Sequence, residues 1–248
     1  MAAPSSSPVN DPDTVRREYA DEQRFLARRL TATAELHGPL VEDLTIATIA
    51  GLDAPAVLEV GCGTGDFTER VRAEAGVPVV ACDLSQRMAI LARDRGLPAL
   101  AADIAALPFP NRSFRCVLAN RVLYHLPDLD AGLAEIARVI RPGGALVAVT
   151  YSAAHLDELW HALGHSQLAA LLFSAENGEA ALRAHFTSVE RHDVSGRARF
   201  ATRDAVDAYL DSYGEFRAAA VGHRLAHLPI PFHATYRHSV FVASAATA

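Results

Sequence analysis

Three acidic residues lie where short apolar segments end, and the first of them leads into alternating glycines. Glu59 lies in the run VLEVGCGTGD over 57–66, which has the pattern of a buried strand, a tight turn and the start of a helix. Asp83 and Asp103 follow two further apolar segments. Glycines allow positive φ and the close approach of a ligand to the backbone. Carboxylates at such a turn can accept hydrogen bonds or receive a cation.

The spacing of these acids predicts that one ligand contacts all three. They are 24 and 20 residues apart, as expected for the ends of successive parallel strands that open into one crevice. A carboxylate at Asp83 suits a ribose diol, because it can accept both hydroxyl hydrogens. Asp103 could accept a hydrogen bond from the exocyclic amine of a purine.

The glycine pattern argues against a dinucleotide. A pyrophosphate site requires G-x-G-x-x-G, whereas this turn reads G-x-G-x-G with Asp66 in the sixth position. Glu59 and Asp66 would repel a phosphate and attract a cation. An adenosine with a positively charged amino-acid arm fits these features, and S-adenosylmethionine is such a molecule.

Strands that alternate with helices predict an α/β fold with a doubly wound, mostly parallel sheet of seven strands. The predicted strands are Ala56–Val60, Val77–Cys82, Ala99–Ala102, Arg115–Ala119, Ala145–Thr150, Thr187–Val194 and Tyr236–Ala243. Helices are predicted between them, including one whose inner face carries Leu133, Ile136, Ala137 and Ile140. The second half is less regular, with helices expected over Leu156–Leu172 and Gly178–His185, and another capped by Thr202.

The expected organisation is a tail and a single domain. Residues 1–13 form the disordered tail, 14–51 an N-terminal helical lid, 52–151 the cofactor-binding core, 152–235 a substrate-side cover that includes the sixth strand, and 236–245 the last strand. Helical periodicity is expected from Thr14 to about His37. These helices either pack on the surface or carry Tyr19, Arg28 or His37 into a cleft.

Composition disfavours several classes of partner. The 248-residue chain is 50% hydrophobic with a formal charge of −6, so no basic footprint for nucleic acid is evident. Its three cysteines, Cys62, Cys82 and Cys116, fall at or beside predicted strands and suggest no disulfide framework. No apolar run is long enough to span a membrane. We therefore expect a cytoplasmic protein, a monomer or homodimer, with a small-molecule partner.

The segment from Val57 to Tyr151 resembles the class I S-adenosylmethionine-dependent methyltransferases. The resemblance rests on four motifs, which are Leu58 to Gly65, Asp83-Leu84-Ser85, Ala102-Asp103-Ile104 followed by Leu107-Pro108-Phe109, and Leu133 to Gly144. More loosely, the chain is similar to the ubiquinone/menaquinone-type and natural-product branch. That likeness rests on Tyr19-Ala20-Asp21, Leu36-His37, Tyr124 to Asp128 and Phe173 to Gly178.

The resemblance implies roles for individual residues. Gly61, Gly63 and Gly65 would line the methionine arm, and Glu59 would order the turn or the amino group. Asp83 would hold the ribose hydroxyls. The remaining cofactor contacts implied are Met88 on the adenine, Asp103 on its amine with Ile104 beside it, Asn120 on the methionine portion, and Cys62, Leu84 and Arg121. For Met88, plain core packing is the alternative.

Methyl transfer from an activated sulfonium chiefly requires alignment of the nucleophile, so a base is optional. An amine need only arrive deprotonated, whereas a hydroxyl calls for a group that takes its proton. His125, after the fourth strand, is the leading candidate base, with loop anchoring as its alternative. Tyr124 and Tyr19 are secondary candidates, and His37 and Arg121 are possible substrate contacts.

We therefore expect methyl transfer to N, O or C of a small metabolite in bacterial secondary metabolism. The alternatives are an RNA or protein methyltransferase and a non-catalytic cofactor-binding relative. His161 and His165, like His223 and His227, have i, i+4 spacing, but neither pair has a third ligand, so no metal is expected. Arg197 and Arg199 beside Phe200 are interpreted as a solvated loop.

Overall fold

A computed structural model describes residues 10–18, 34–164, 171–212 and 225–247. Their helices are α1 Pro12–Glu18, α2 Val41–Gly51, α3 Asp66–Glu74, α4 Gln86–Asp94, α5 Leu129–Val139, α6 Asp157–Ala162, α7 Gly178–Arg183 and α8 Arg203–Asp211. Their strands are β1 Glu35–His37, β2 Val57–Val60, β3 Val79–Asp83, β4 Ala99–Ala101, β5 Phe114–Asn120, β6 Ile140–Tyr151, β7 Ser188–Phe200 and β8 Phe232–Ser244.

The strands form one sheet in the order β1-β7-β8-β6-β5-β2-β3-β4. Strands β4, β3, β2, β5 and β6 are parallel, whereas β8 is antiparallel to both β6 and β7, and β1 is antiparallel to β7. The parallel part brings the carboxyl ends of β2, β3 and β4 to one edge, as predicted for the three acids.

Helices cover both faces of the sheet, so the predicted doubly wound α/β class is confirmed. On one face Ile49 of α2 and Val71 of α3 pack with Leu118 and Val149. On the other face Leu133 and Ile136 of α5 join Leu58 and Val117. Central strand β2 is buried along its whole length because both of its faces are covered.

The sheet has eight strands in the described residues, not the predicted seven, because residues 35–37 form β1. The predicted helix from Thr14 to His37 is therefore wrong at its end, where residues 35–37 are extended; α1 is described as far as Glu18, and 19–33 lie outside the described residues. Arg199 Nη1 donates a 2.9 Å hydrogen bond to Glu35 Oε1 across the β1–β7 pair. Gly38, with φ of +116°, then turns the chain toward α2.

The prediction of a loop at Arg197 and Arg199 is also wrong. β7 continues to Phe200, and Ala198 and Phe200 are both fully buried. The two arginines alternate with these apolar residues, which is the period of a strand with one buried face. Gly196 interrupts the pattern in the sequence, and a Cβ there would lie 2.1 Å from the Tyr236 hydroxyl oxygen.

Two predicted helices end earlier in the structure. Of the helix expected over Leu156–Leu172, the described residues form α6, which is followed by a turn at Gly164 with φ of +86°. Residues 165–170 lie outside the described ranges, and Leu172 is exposed and not helical. Ile140 caps α5 and begins β6, rather than continuing the helix. Among the described residues, no helix is long and apolar enough to cross a bilayer.

Candidate cofactor and methyl-acceptor site

Asp83 joins the end of β3 to the glycine turn after β2. Its Oδ2 accepts a 2.8 Å hydrogen bond from the Gly63 amide, and its Oδ1 accepts one of 2.8 Å from the Ser85 amide. Burial raises the pKa of Asp83, although these two amides act in the opposite direction. Each carboxylate oxygen keeps a further lone pair, so the side chain can still accept hydrogen bonds from a diol.

Glu59 is buried within β2 and is only 1% exposed. Its Oε2 forms no hydrogen bond within the part of the chain that the structure describes. Burial, reinforced by the charge of Asp83, raises the pKa of Glu59 to about 8, while the nearby Thr68 hydroxyl and then Arg121 partly offset the shift. Such an unsatisfied buried oxygen is unfavourable unless a ligand or cation compensates it.

The glycines at 61 and 65 are required by close packing as well as by backbone conformation. Gly61 and Gly65 have φ of +73° and +83°. A Cβ on Gly61 would lie 2.4 Å from Val122 Cγ2, and one on Gly65 would lie 2.7 Å from Leu97 Cδ1. The turn is therefore pressed against the loop after β5 on one side and the segment before β4 on the other.

The other residues assigned to the cofactor differ in accessibility. Asp103 is exposed and accepts a 2.9 Å hydrogen bond from the Ala105 amide, which caps the 3-10 turn Ile104–Ala106. Leu84 is 37% exposed beside Asp83. Met88 is fully buried on α4, so its burial favours the alternative of core packing. Cys62 is also buried, and burial raises the pKa of its thiol.

Asp66 does not offer the free negative charge expected from the sequence. Arg95 forms an ion pair with its carboxylate, and the Thr64 hydroxyl donates to Asp66 Oδ2 at 2.6 Å. Arg95 lies 29 positions after Asp66 in the sequence, so no local motif could have indicated this ion pair. The negative charge beside this turn therefore comes from Asp83, because burial keeps Glu59 protonated near neutral pH until a bound cation lowers its pKa.

Asn120 and Arg121 lie at the carboxyl end of β5, next to β2. Arg121 has φ of +56°, and its guanidinium contacts Glu42 of α2 at 2.7 Å. Burial alone would lower the pKa of Arg121, but the Glu42 carboxylate outweighs it and raises the pKa. The side chain predicted to contact a ligand is thus engaged with α2, and its charge lies near Glu59.

The loop after Arg121 carries the candidate catalytic residues. Tyr124 and His125 lie in a 3-10 turn, with their ring centroids 4.4 Å apart. Tyr124 is buried, and Asn10 donates to its carbonyl oxygen from the segment before α1. His125 is half-buried. Tyr19, the third candidate, lies outside the described residues, and His37 lies in β1.

A buried histidine pair, which the motifs did not indicate, lies beside this loop. His155 and His238 have ring centroids 4.8 Å apart, and both pack against Tyr151 at the end of β6. Burial lowers the pKa of His155 to about 3 and that of His238 well below its usual value. Both are therefore neutral at physiological pH. They are 83 residues apart, so only the β6–β8 pairing could have revealed them.

The described residues contain no group of three or more His, Cys, Asp or Glu side chains placed to hold a metal. His161 instead contacts Asp157, with 3.0 Å between Nδ1 and Oδ1. Its proposed counterpart His165, and His223 of the second pair, lie outside the described ranges. The three cysteines are buried and free.

The hydrogen-bond acceptors at this turn fit an adenosine with a cationic arm. Asp83 is held by the glycine turn with acceptor capacity to spare, and Leu84 offers an apolar surface beside it. Glu59, whose Oε2 forms no hydrogen bond among the described residues, lies two residues before the turn begins at Gly61. A phosphate would be repelled by the Asp83 carboxylate.

Comparison with protein families agrees with this geometry. Residues 58–148 match a family model described as a methyltransferase domain. The match begins in β2 and ends in β6, so it includes the glycine turn, the three acids and the loop with His125.

Two curated relatives illustrate how far the sequence similarity extends. Demethylmenaquinone methyltransferase of Corynebacterium efficiens is 38% identical over 96 residues, 39% of this chain and 41% of that protein. Malonyl-[acyl-carrier protein] O-methyltransferase of Pseudescherichia vulneris is 36% identical over 139 residues, 54% of this chain and 55% of that protein. The chain thus spans about half the length of these relatives.

Solved structures share the fold over a longer range. The [4+2]-cyclase SpnF superposes with a TM-score of 0.61 at 20% identity, covering 100% of this chain and 98% of SpnF. At this identity the likeness shows the fold alone.

Proposed function

We propose that this chain methylates a small molecule at N, O or C. The premise is that residues 58–148 form a methyltransferase domain of the class I S-adenosylmethionine-dependent family. The observation that carries the proposal is Asp83, fixed by the Gly63 amide with its remaining lone pairs available for a diol. The relatives named demethylmenaquinone methyltransferase and malonyl-[acyl-carrier protein] O-methyltransferase support the activity class. A setting in bacterial secondary metabolism, a cytoplasmic location and a monomeric or homodimeric state remain predictions.

In this proposal the cofactor supplies a methyl group already activated by its sulfonium. Asp83 binds the ribose hydroxyls, Asp103 the adenine amine, and Glu59 with the glycine turn positions the amino-acid arm. Binding in a fixed orientation can supply on the order of 7–11 kcal/mol of the barrier reduction. The chain's main task is therefore to place the acceptor in line with the methyl group.

The loop Leu123–His125 is proposed to face the acceptor, because Val122 beside it packs on Gly61. His125 would hold or remove the acceptor proton, with Tyr124 behind it at 4.4 Å between ring centroids. Replacing a general base costs about 10²–10⁴-fold in turnover.

The experiment is formation of S-adenosylhomocysteine from S-adenosylmethionine with a panel of phenols, alcohols, carboxylic acids and amines. We expect turnover with at least one class, and a loss of about 10²-fold in His125→Gln with unchanged cofactor affinity. His192→Gln, at an exposed position in β7, is the matched control. Cofactor binding without product from any acceptor would instead support a non-catalytic relative. Salt-sensitive binding of RNA would support the RNA methyltransferase alternative.

A further inference from the structure

The histidine pair belongs to an aromatic cluster at the sheet edge where the acceptor is proposed to bind. Tyr151, the last residue of β6, pairs in register with His238 of β8. The Tyr151 ring centroid is 5.0 Å from that of His238, 4.7 Å from that of His155 and 5.8 Å from that of Tyr124. The cluster therefore extends without a break from the loop after β5 to β8.

Arg121 connects this cluster to the glycine turn. Its positive charge acts to lower the pKa of Glu59, His155 and His238, so its guanidinium lies near Glu59 and near both histidines. The next residue, Val122, packs against Gly61. A molecule placed beyond the glycine turn, over the end of β5, would border the cluster.

One polar atom of the cluster lacks a partner. His238 Nδ1 is buried and forms no hydrogen bond with any of the described residues, and the residue is 7% exposed. His155 Nδ1, in contrast, lies 3.1 Å from the backbone nitrogen and from the carbonyl oxygen of Arg237. An unsatisfied buried polar group costs about 1–3 kcal/mol. Such an atom beside an active-site loop indicates a position that a ligand would complete.

The surroundings favour a neutral ligand group. Burial keeps both imidazoles uncharged, and the nearest charged group with an effect on both is the cation Arg121. Bringing an ammonium ion here would remove its hydration, and the charge of Arg121, which is paired with Glu42, would offer it no compensating anion. A hydroxyl can either donate to or accept from a ring nitrogen, so it fits either tautomer of neutral His238. The tyrosine faces would attract a cation by about 0.5–2 kcal/mol, which makes charge the property to test.

We propose that His238 is part of the methyl-acceptor site and that its Nδ1 hydrogen-bonds a neutral hydroxyl group of the acceptor. The acceptor class is then a hydroxylated compound rather than one that arrives as an ammonium ion. This inference rests on the proposed function. His238 orients the hydroxyl and remains neutral, so it is a binding residue and is distinct from the candidate base His125.

The test compares benzyl alcohol with benzylamine, which have the same shape but differ in charge at neutral pH. The full chain, labelled with ¹⁵N in histidine, is titrated with each probe with and without S-adenosylhomocysteine. We expect benzyl alcohol to shift the His238 ring resonances and benzylamine to leave them in place. His238→Phe should weaken benzyl alcohol binding about five- to tenfold and leave S-adenosylhomocysteine affinity unchanged.

His192→Phe, at a histidine whose side chain is 47% exposed on β7, is the matched control and should bind both probes as the parent does. If His238→Phe does not fold, the inference is tested by the benzyl alcohol affinity of His238→Asn and by the resonance shifts of the parent protein. Equal binding of the two probes, unaltered benzyl alcohol affinity in the variant, or no shift at His238 would overturn the inference. Failure of S-adenosylhomocysteine to bind at all would instead reject the proposed function.

Discussion

The Gly63 amide donates a 2.8 Å hydrogen bond to Asp83 Oδ2, which ties the glycine turn after β2 to the end of β3. The Ser85 amide holds the other oxygen at 2.8 Å. The carboxylate is therefore fixed by two backbone groups of adjacent strand ends, rather than by flexible side chains. Such support fixes a binding group before the ligand arrives, which lowers the entropy lost on binding.

A methyl group at position 61 should destabilise the glycine turn. In Gly61→Ala the new Cβ would lie 2.4 Å from Val122 Cγ2 at φ of +73°. Strain and overpacking together should cost about 2–5 kcal/mol. Chemical denaturation measures this loss, and Gly61→Ala/Val122→Ala should recover part of it.

Gly76→Ala is the matched control, because Gly76 has φ of +66° with nothing within 4 Å of a Cβ. It should show only the backbone cost of about 1–2 kcal/mol. An equal loss in the two variants would mean that contact with Val122 does not constrain the turn.

The stability of the protein should depend on pH through Glu59. Its pKa is about 8 in the folded state against 4.5 as the ordinary value, so the folded state holds a proton that the unfolded state releases. This contribution is complete below about pH 4.5 and is lost as pH rises toward 8. Glu59→Gln should therefore match the parent near pH 4.5 and be more stable at pH 9, by up to about 5 kcal/mol. Thermal unfolding at both pH values measures the difference, and a constant offset would contradict it.

The Arg121–Glu42 ion pair should contribute far more to the free energy of unfolding than the surface ion pairs do. Its side chains are 24% and 18% exposed. Arg121→Met leaves Glu42 unpaired and should cost about 2–4 kcal/mol, whereas Arg121→Met/Glu42→Gln should recover much of the loss. The exposed pair Arg183–Glu179 is the comparison, and Arg183→Met should cost less than about 1 kcal/mol. Denaturant titrations that give similar losses in the two single variants would reject this ranking.

The cofactor-binding core could be predicted from the sequence because it depends on patterns of neighbouring residues. The apolar run before Gly61, the acid at Asp83 and the Ser85 cap each depend on neighbouring residues, and Ser85 accepts from the Met88 amide at 3.4 Å in the structure. The alternation of such runs with helices then determines a parallel sheet.

Features that depend on distant partners could not be predicted. His37 pairs with Arg197, 160 positions later, so helical periodicity upstream suggested the wrong element there. Asp66 is neutralised by Arg95, and His238 meets Tyr151 only because β8 pairs with β6. In each case the decisive contact depends on the topology of the sheet rather than on local pattern.

The most direct test of the central claim is calorimetric titration of the full chain with S-adenosylmethionine, comparing the parent, Asp83→Ala and Asp94→Ala. Asp94, at the exposed end of α4, is the matched control. We predict that the parent and Asp94→Ala bind alike, and that Asp83→Ala binds about ten- to a hundredfold more weakly, because hydrogen bonds to a charged group are lost. No binding by the parent at millimolar ligand, or parent-like binding by Asp83→Ala, would contradict the account.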